Sequence, residues 1–205
     1  MSDCCLLFFI RYPQPGRTKT RLISALGAEG AAQLQKEMAE YLLGKLRDSQ
    51  WQVQVYFTGA LLAQMQAWLG PNLVYCAQAD GDLGCRLWRA FEQAFSAGAQ
   101  RIVAVGADCP SLDARHIDQA FNQLESHNAV LGPANDGGYY LIGLRQESCQ
   151  HQALFQGIDW STPRVLQQTQ AKARQLNLSL AELEMLSDVD RPQDLAVWRR
   201  IQAMS

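Results

Sequence analysis

The order of apolar segments predicts an α/β protein with a mixed, mostly parallel sheet and helices on both faces. Three observations carry this. Apolar runs of strand length alternate with longer stretches of helical periodicity along the whole chain. The strongest runs, "CLLFFI" at 5–10 and "RIVAVGAD" at 101–108, are apolar without alternation, as in strands covered on both faces. Within "AVLGPANDGGYYLIGL" at 129–144, two apolar runs flank Asn-Asp-Gly-Gly with no room for a helix, so the pair reads as a hairpin that adds an antiparallel strand.

Each element follows from its pattern. After the first strand, Glu29 to Arg47 places Ala32, Leu34, Met38, Leu42, Leu43 and Leu46 at helical spacing. "VQVYF" at 53–57 alternates as a strand, Leu61 to Leu69 is a short helix, and "LVYCA" at 73–77 is a third strand. Leu83, Leu87, Phe91, Ala94 and Phe95 mark a helix that stops near Gly98. Asp113 is placed to cap the next helix, striped by Ile117, Ala120, Phe121 and Leu124. Ser161 is read as the cap of a helix to about Leu176, Leu180 to Leu186 as a last strand or edge segment, and Pro192 as the opening of a final helix to about Gln202. No linker, repeat or low-complexity tract interrupts 1–205, which is read as one domain. In such folds ligands bind beyond the carboxyl ends of the strands, which selects loops 11–21, 78–86, 106–112, 134–138 and 187–191.

Composition removes several function classes. With 18 Lys+Arg against 20 Asp+Glu, the chain lacks the basic excess of a nucleic-acid binder. "LLFFI" is too short to span a membrane, and Asp3 and Arg11 do not suit a signal peptide. The six cysteines (4, 5, 76, 85, 109, 149) form no CxxC pair and no metal-ligand spacing; Cys4, Cys5 and Cys76 lie in apolar runs, as expected in a reducing cytoplasm. The three histidines (116, 127, 151) are scattered, with no ligand pair among them.

Against this neutral background, "RYPQPGRTKTRL" places Arg11, Arg17, Lys19 and Arg21 directly after the first strand. It is neither a P-loop nor a dinucleotide fingerprint. Pro13, Pro15 and Gly16 make a stiff turn, and Thr18 or Thr20 begins a short helix. The segment is a solvated basic turn or a phosphate cradle of backbone N–H groups, Lys19 and Arg21. Arg21 is expected to pair with a carboxylate such as Asp108 when no ligand is bound. In "VGADCPSLD", Asp108 is a Mg²⁺ ligand at a strand end or a turn former before Pro110, and Cys109 is a packing residue. In "LSDVDRPQDL", Asp188 and Asp190 alternate; a metal ligand and a helix cap both explain Asp190. In "NDGGYY", Asp136 is a site carboxylate or a turn former, and Gly137 and Gly138 allow close approach of a ligand or a tight turn. In "ADGDLGCRL", Gly84 between Gly81, Asp82 and Arg86 admits a planar base against the backbone, or the segment is a plain helix entry capped by Asp82.

The segments "YPQPGRTKTRL", "GDLGCRL", "GADCPSL", "GPANDGGYYLIGL", "FQGIDWST" and "DVDRPQDL" occur in that order. Together they closely resemble the family called domain of unknown function 2064, related to phospholactate guanylyltransferases and molybdenum-cofactor nucleotidyltransferases. The resemblance covers nearly the whole chain. It implies the nucleotide-diphospho-sugar transferase (GT-A) fold, a Rossmann-like three-layer αβα sandwich. It also implies that Pro15, Gly16, Arg17, Thr18, Lys19 and Arg21 hold nucleotide phosphates. Gly81, Asp82, Gly84 and Arg86 would then lie near the base. Asp136, Gly137, Gly138, Tyr139 and Trp160 would face the other substrate, and Asp108 and Asp190 would hold Mg²⁺ or Mn²⁺. Lys19, Arg21 and Asp108 would form the catalytic group. Arg191-Pro192 departs from the Thr-Pro common in related chains. The implied reaction moves a nucleoside monophosphate from a triphosphate to a small, phosphorylated acceptor and releases pyrophosphate. Glycosyl transfer from a nucleotide sugar is the closest alternative, and a nucleotide-binding module without turnover is a third.

Overall fold

A computed structural model describes residues 3–47, 50–146 and 151–203; Cys149 lies outside the described residues. The strands are β1 (Cys4–Arg11), β2 (Gln52–Thr58), β3 (Val74–Ala77), β4 (Arg101–Gly106), β5 (Ala129–Pro133), β6 (Tyr139–Arg145) and β7 (Leu180–Glu182). The helices are α1 (Ile23–Leu46), α2 (Leu62–Leu69), α3 (Leu83–Ser96), α4 (Ala114–Gln123), α5 (Val165–Gln175) and α6 (Leu195–Gln202), with 3-10 turns at Thr20–Leu22, His151–Phe155 and Pro192–Asp194. The sheet runs β3-β2-β1-β4-β6-β5-β7. Among the described strands only β6 is antiparallel to its neighbours, as the hairpin reading required. Among the described residues no helix is long and apolar enough to cross a membrane.

The central strands sort their side chains onto two cores. From β1, Leu6, Phe8 and Ile10 pack with Ala39, Leu42 and Leu46 of α1 and with Ile117 and Phe121 of α4. Cys5 and Leu7 face the other layer, against Leu87, Ala90 and Phe91 of α3. An unbroken apolar sequence is therefore what a two-sided strand requires. A third, smaller cluster joins Leu22, Leu34, Met38, Val189, Leu195 and Trp198, and so fixes the C-terminal segment to α1.

Two boundaries differ from the sequence reading. Helix α1 begins before Glu29, but Gly27 (φ 71°) breaks it, leaving the regular helix near its expected start. Ser161 does not cap α5: its φ is 65°, and the helix starts at Val165 after Arg164. Pro163 accounts for this, because the residue before a proline is held out of helical geometry. The loop instead closes on itself, with Thr162 Oγ1 donating to Asp159 O at 2.7 Å.

The segment after β7 crosses the carboxyl end of the sheet. Leu183 N donates to Leu131 O (2.9 Å), Leu186 N to Pro133 O (3.0 Å) and Val189 N to Asp108 O (2.8 Å). Residues 183–190 thus run as a strap from β5 toward the end of β4.

Phe8 is fully buried at the middle of β1. Phe8→Ala is expected to lower unfolding free energy by about 3–5 kcal/mol. The check is a fall in the denaturant midpoint at constant m-value.

Candidate functional site

A cavity of about 860 Å³ opens at the carboxyl end of the sheet. All five loops selected from the sequence contribute to it, and so does the 160–163 loop.

The basic loop supplies its floor. Gly16 (φ 75°) turns the chain after Pro15. Arg17 N, Thr18 N and Thr18 Oγ1 all donate to Gln14 O, at 3.0, 3.2 and 2.9 Å. The turn is thereby fixed, and Lys19 follows in left-handed geometry (φ 47°). That conformation costs a non-glycine residue about 1–2 kcal/mol, and it aims the side chain inward. The Lys19 side chain is only 3% exposed; Nζ lies 2.7 Å from Asp108 Oδ1 and 4.0 Å from Asp190 Oδ1. It also donates to Val189 O at 2.5 Å. Arg21, on the following 3-10 turn, pairs with Asp190 Oδ2 at 2.5 Å. Arg21 thus pairs with a carboxylate as expected, but with Asp190 and not Asp108: the inward turn gives Asp108 to Lys19, and the more exposed Arg21 takes Asp190.

Both aspartates face the cavity for local reasons. Asp108 leaves the sheet after β4, and its side chain is 56% exposed. The turn behind it closes through Leu112 N to Cys109 O, without the carboxylate. Asp190 is not the cap of the C-terminal helical segment. Asp194 Oδ2 reaches back and accepts from Asp190 N (3.2 Å) and Arg191 N (2.7 Å), so the Asp190 carboxylate is free for the cavity. Val189 is fully buried in the third cluster, and by alternation this turns Asp188 and Asp190 outward.

Asp188 and Asp136 also line the cavity. Asn135 Nδ2 donates to Ser187 Oγ at 2.6 Å, which holds the hairpin turn against the strap. Burial, and then the charge of Asp136, push the Asp188 carboxyl up to about 6. Asp136 lines the cavity, and its Oδ1 accepts from Gly138 N at 2.8 Å, as a turn former does. Cys109 is buried beneath, its thiol pushed up by that burial, in agreement with a packing role.

Arg17, Thr18, Arg86, Gly138, Tyr139 and Trp160 also line the cavity. Pro15, Gly16, Gly81, Asp82, Gly84 and Gly137 fall outside the lining. Asp82 caps α3, accepting from Cys85 N at 2.8 Å, so the helix-entry reading accounts for that segment. The planar group against Gly84 is the chain's own: a Cβ there would stand 2.8 Å from the Trp160 indole and 2.7 Å from Phe155 O. A base lying on Gly84 is corrected to an indole that fills the place. Gly137 (φ 88°) plays a similar part for the Pro163 backbone, and its carbonyl accepts from Leu166 N at 2.9 Å. The sequence reading missed Gln78, just past β3. Its Nε2 donates to Tyr56 O (3.0 Å) and Ile10 O (3.3 Å), which fixes the amide at the cavity wall. Its signal was position alone: the first polar residue after a strand that ends at the binding edge.

The donor set fits Mg²⁺ or Mn²⁺ of a particular kind. Two carboxylates converge, yet among the described residues no group of three or more His, Cys, Asp or Glu can hold a metal. Mg²⁺ often takes one or two carboxylates and completes its shell with phosphate oxygens and water. Asp108 and Asp190 thus suit a cation that arrives with phosphates, and the Lys19 ammonium stands beside them as a cation already.

The family model of DUF2064, described as "Uncharacterized protein conserved in bacteria", matches residues 42–162. No curated protein matches the chain. A solved structure from Desulfovibrio desulfuricans G20, provisionally named a nucleotide-diphospho-sugar transferase, is 36% identical; the match covers 98% of this chain and 88% of that one, with a TM-score of 0.92. A nucleotidyl transferase from Methanothermobacter thermautotroptrophicus shares the fold at 12% identity, covering 98% and 99% of the two chains, TM-score 0.65. CMP:2-keto-3-deoxy-manno-octonic acid synthetase, complexed with CTP, does so at 13% identity, 99% coverage of each chain and TM-score 0.59.

The raised Asp188 carboxyl yields a prediction with a sign. Its folded value lies above the ordinary 3.8, so the folded chain binds this proton more tightly than the unfolded chain. The stability it contributes is present below about pH 4 and is lost as pH rises through about 6. Asp188→Asn is therefore expected to raise Tm relative to wild type at pH 7.5 in metal-free buffer, and to leave Tm unchanged near pH 3.5. An equal difference at both pH values would contradict this origin.

Proposed function

The chain belongs to the DUF2064 family, and from that premise we propose that it is a Mg²⁺-dependent nucleotidyltransferase. The observation that carries the reading is the Lys19 ammonium held between Asp108 and Asp190 in a cavity that also presents Arg17, Arg21 and Arg86. Such a grouping suits a polyphosphate accompanied by a divalent cation. The fold shared with the nucleotidyl transferase and the CTP-bound synthetase supports the same class.

In the proposed reaction an oxygen of a small acceptor attacks the α-phosphorus of a nucleoside triphosphate. The new P–O bond forms as the bond to pyrophosphate breaks, and pyrophosphate leaves. Lys19 and Arg21 exchange their carboxylate partners for phosphate oxygens and stabilise the charge that builds on the leaving group. Asp108 and Asp190, so released, would hold the divalent cation. When bound, that cation neutralises phosphate charge and polarises the phosphoryl oxygens. A phosphorylated acceptor arrives ionised and requires no general base. The provisional name of the Desulfovibrio relative favours glycosyl transfer from a nucleotide sugar as the second reading. The number of cations and the sequence Asp108-Cys109-Pro110, in place of an Asp-x-Asp pair, favour the triphosphate.

The test is a thermal-shift panel of nucleoside triphosphates and nucleotide sugars, each with and without Mg²⁺. A triphosphate at about 100 times its Kd is expected to add roughly 2.7 kcal/mol of stability, only when Mg²⁺ is present. Shifts confined to nucleotide sugars would transfer the assignment to glycosyl transfer.

Lys19→Met separates two effects that share one residue. Loss of its charge-assisted bonds is expected to weaken triphosphate binding by roughly ten- to a hundredfold, and monophosphate binding far less. Removing the resident cation is expected to strengthen binding of Mn²⁺ alone by at least several-fold. Calorimetry with the nucleotides and titration of free Mn²⁺ by electron paramagnetic resonance check the two signs; Mn²⁺ affinity that falls with Lys19→Met would refute the exchange.

A further inference from the structure

Outside the cavity, His116 is buried in the first turn of α4, with its side chain 4% exposed. Its Nδ1 lies 2.7 Å from Asp113 Oδ1 and its Nε2 lies 2.9 Å from Glu184 Oε1. We infer that His116 is a positioning residue for the cavity: by holding Glu184 it fixes the start of the strap, and through the strap the places of Asp188 and Asp190.

The geometry is specific. Each ring nitrogen lies within hydrogen-bond distance of a different carboxylate, so the ring bridges Asp113 at the head of α4 to Glu184 on the strap. Asp113 N also lies 3.3 Å from Nδ1, but the 2.7 Å carboxylate contact is shorter and charge-assisted. Asp113 is itself held, by Arg115 through Oδ2 at 3.1 and 3.2 Å, so the ring has a fixed base. Tyr140, a cavity-lining residue, meets the ring edge-on at 6.3 Å, and its Oη donates to Glu184 O at 3.1 Å. Glu184 is therefore gripped through both side chain and backbone. Its side chain is otherwise 64% exposed, so its own burial does not explain why it lies there. Beyond it, the strap is tied at Leu186 to Pro133 and Asn135, at Ser187 to Asn135, and at Val189 to Asp108 and Lys19. The anchor at Glu184 is the only one of these contacts made by a charged side chain outside the cavity lining.

The catalytic meaning of this anchor rests on the nucleotidyltransferase reading, but its test does not. Amide hydrogen exchange is measured on the ligand-free protein for wild type, Glu184→Ala, His116→Gln and the double variant. Glu184→Ala is expected to speed exchange at Leu186 and Val189 by on the order of fivefold to tenfold, while exchange in β4 and the unfolding midpoint stay unchanged. The double variant is expected to show no further acceleration over either single one. For any triphosphate that wild type binds with Mg²⁺, Glu184→Ala is expected to raise Kd although Glu184 is not itself part of the cavity lining. Unchanged exchange at Leu186 and Val189 in Glu184→Ala overturns the inference, as do fully additive effects in the double variant. Should His116→Gln not fold, the Glu184→Ala exchange rates decide alone. A wild type that binds no nucleotide would defeat the functional reading and leave the exchange result standing.

Discussion

One buried ammonium organises the binding edge of this molecule. Lys19 Nζ contacts Asp108, approaches Asp190 and donates to Val189 O, so it joins the ends of β1 and β4 to a strap about 170 residues away in sequence. A charge buried to this degree is tolerable only when paired and hydrogen-bonded. The pairing requirement in turn dictates the rest: a glycine turn and a left-handed Lys19 to aim the side chain, and a carboxylate at the end of the central strand to receive it. Arg21 then compensates Asp190 from the outer side. The strain at Lys19 is held in place by the Gln14 turn before it and the Leu22 cluster after it.

The strap converts core packing into site geometry. Val189 is buried against Leu22 and Met38, and its neighbours must face the other way. Two aspartates flanking one valine therefore reach the cavity without any special backbone. The same segment takes its depth from hydrogen bonds to β5 and its lateral position from Asn135 and His116. Asp188 and Asp136 lie close enough for their charges to repel, which is the cost of bringing hairpin and strap together at a polar opening.

Much of this was legible in the sequence because it depends on short-range pattern. The unbroken run 5–10, the alternation 53–57 and the Asn-Asp-Gly-Gly hairpin give the strands and the single antiparallel member. Strand ends then give the five loops of the cavity, and with them Lys19, Asp108 and Asp190. What was not legible depends on which distant partner wins a side chain. Local sequence offered Asp190 as a cap, but Asp194 takes the amide donors. Gly84 read as room for a base until the Trp160 indole, 76 positions later, was placed against it. His116 looked isolated because Glu184 is 68 residues away. Gln78 carried no motif, only its place after β3.

The charge of the cavity follows from the same arrangement. Six cationic side chains (Arg11, Arg17, Lys19, Arg21, Arg86 and Arg191) line it, against five aspartates at 108, 136, 188, 190 and 194. A lining so nearly neutral offers a bare polyanion little net attraction, since each phosphate that gains a cation also approaches a carboxylate. The balance changes if the polyanion brings a divalent cation, because Asp108 and Asp190 can then exchange their contacts with Lys19 and Arg21 for the metal. On the proposed reading the two released side chains would donate to phosphate, and neither Asp108 nor Asp190 would be left uncompensated. Pairing Lys19 with Asp108 and Arg21 with Asp190 lowers the cost of holding these charges at the sheet edge, which unpaired cations beside unpaired carboxylates would bear in full. On the proposed reading the site would also select, since a ligand that supplies only phosphate, or only metal, would satisfy half of the groups it displaces.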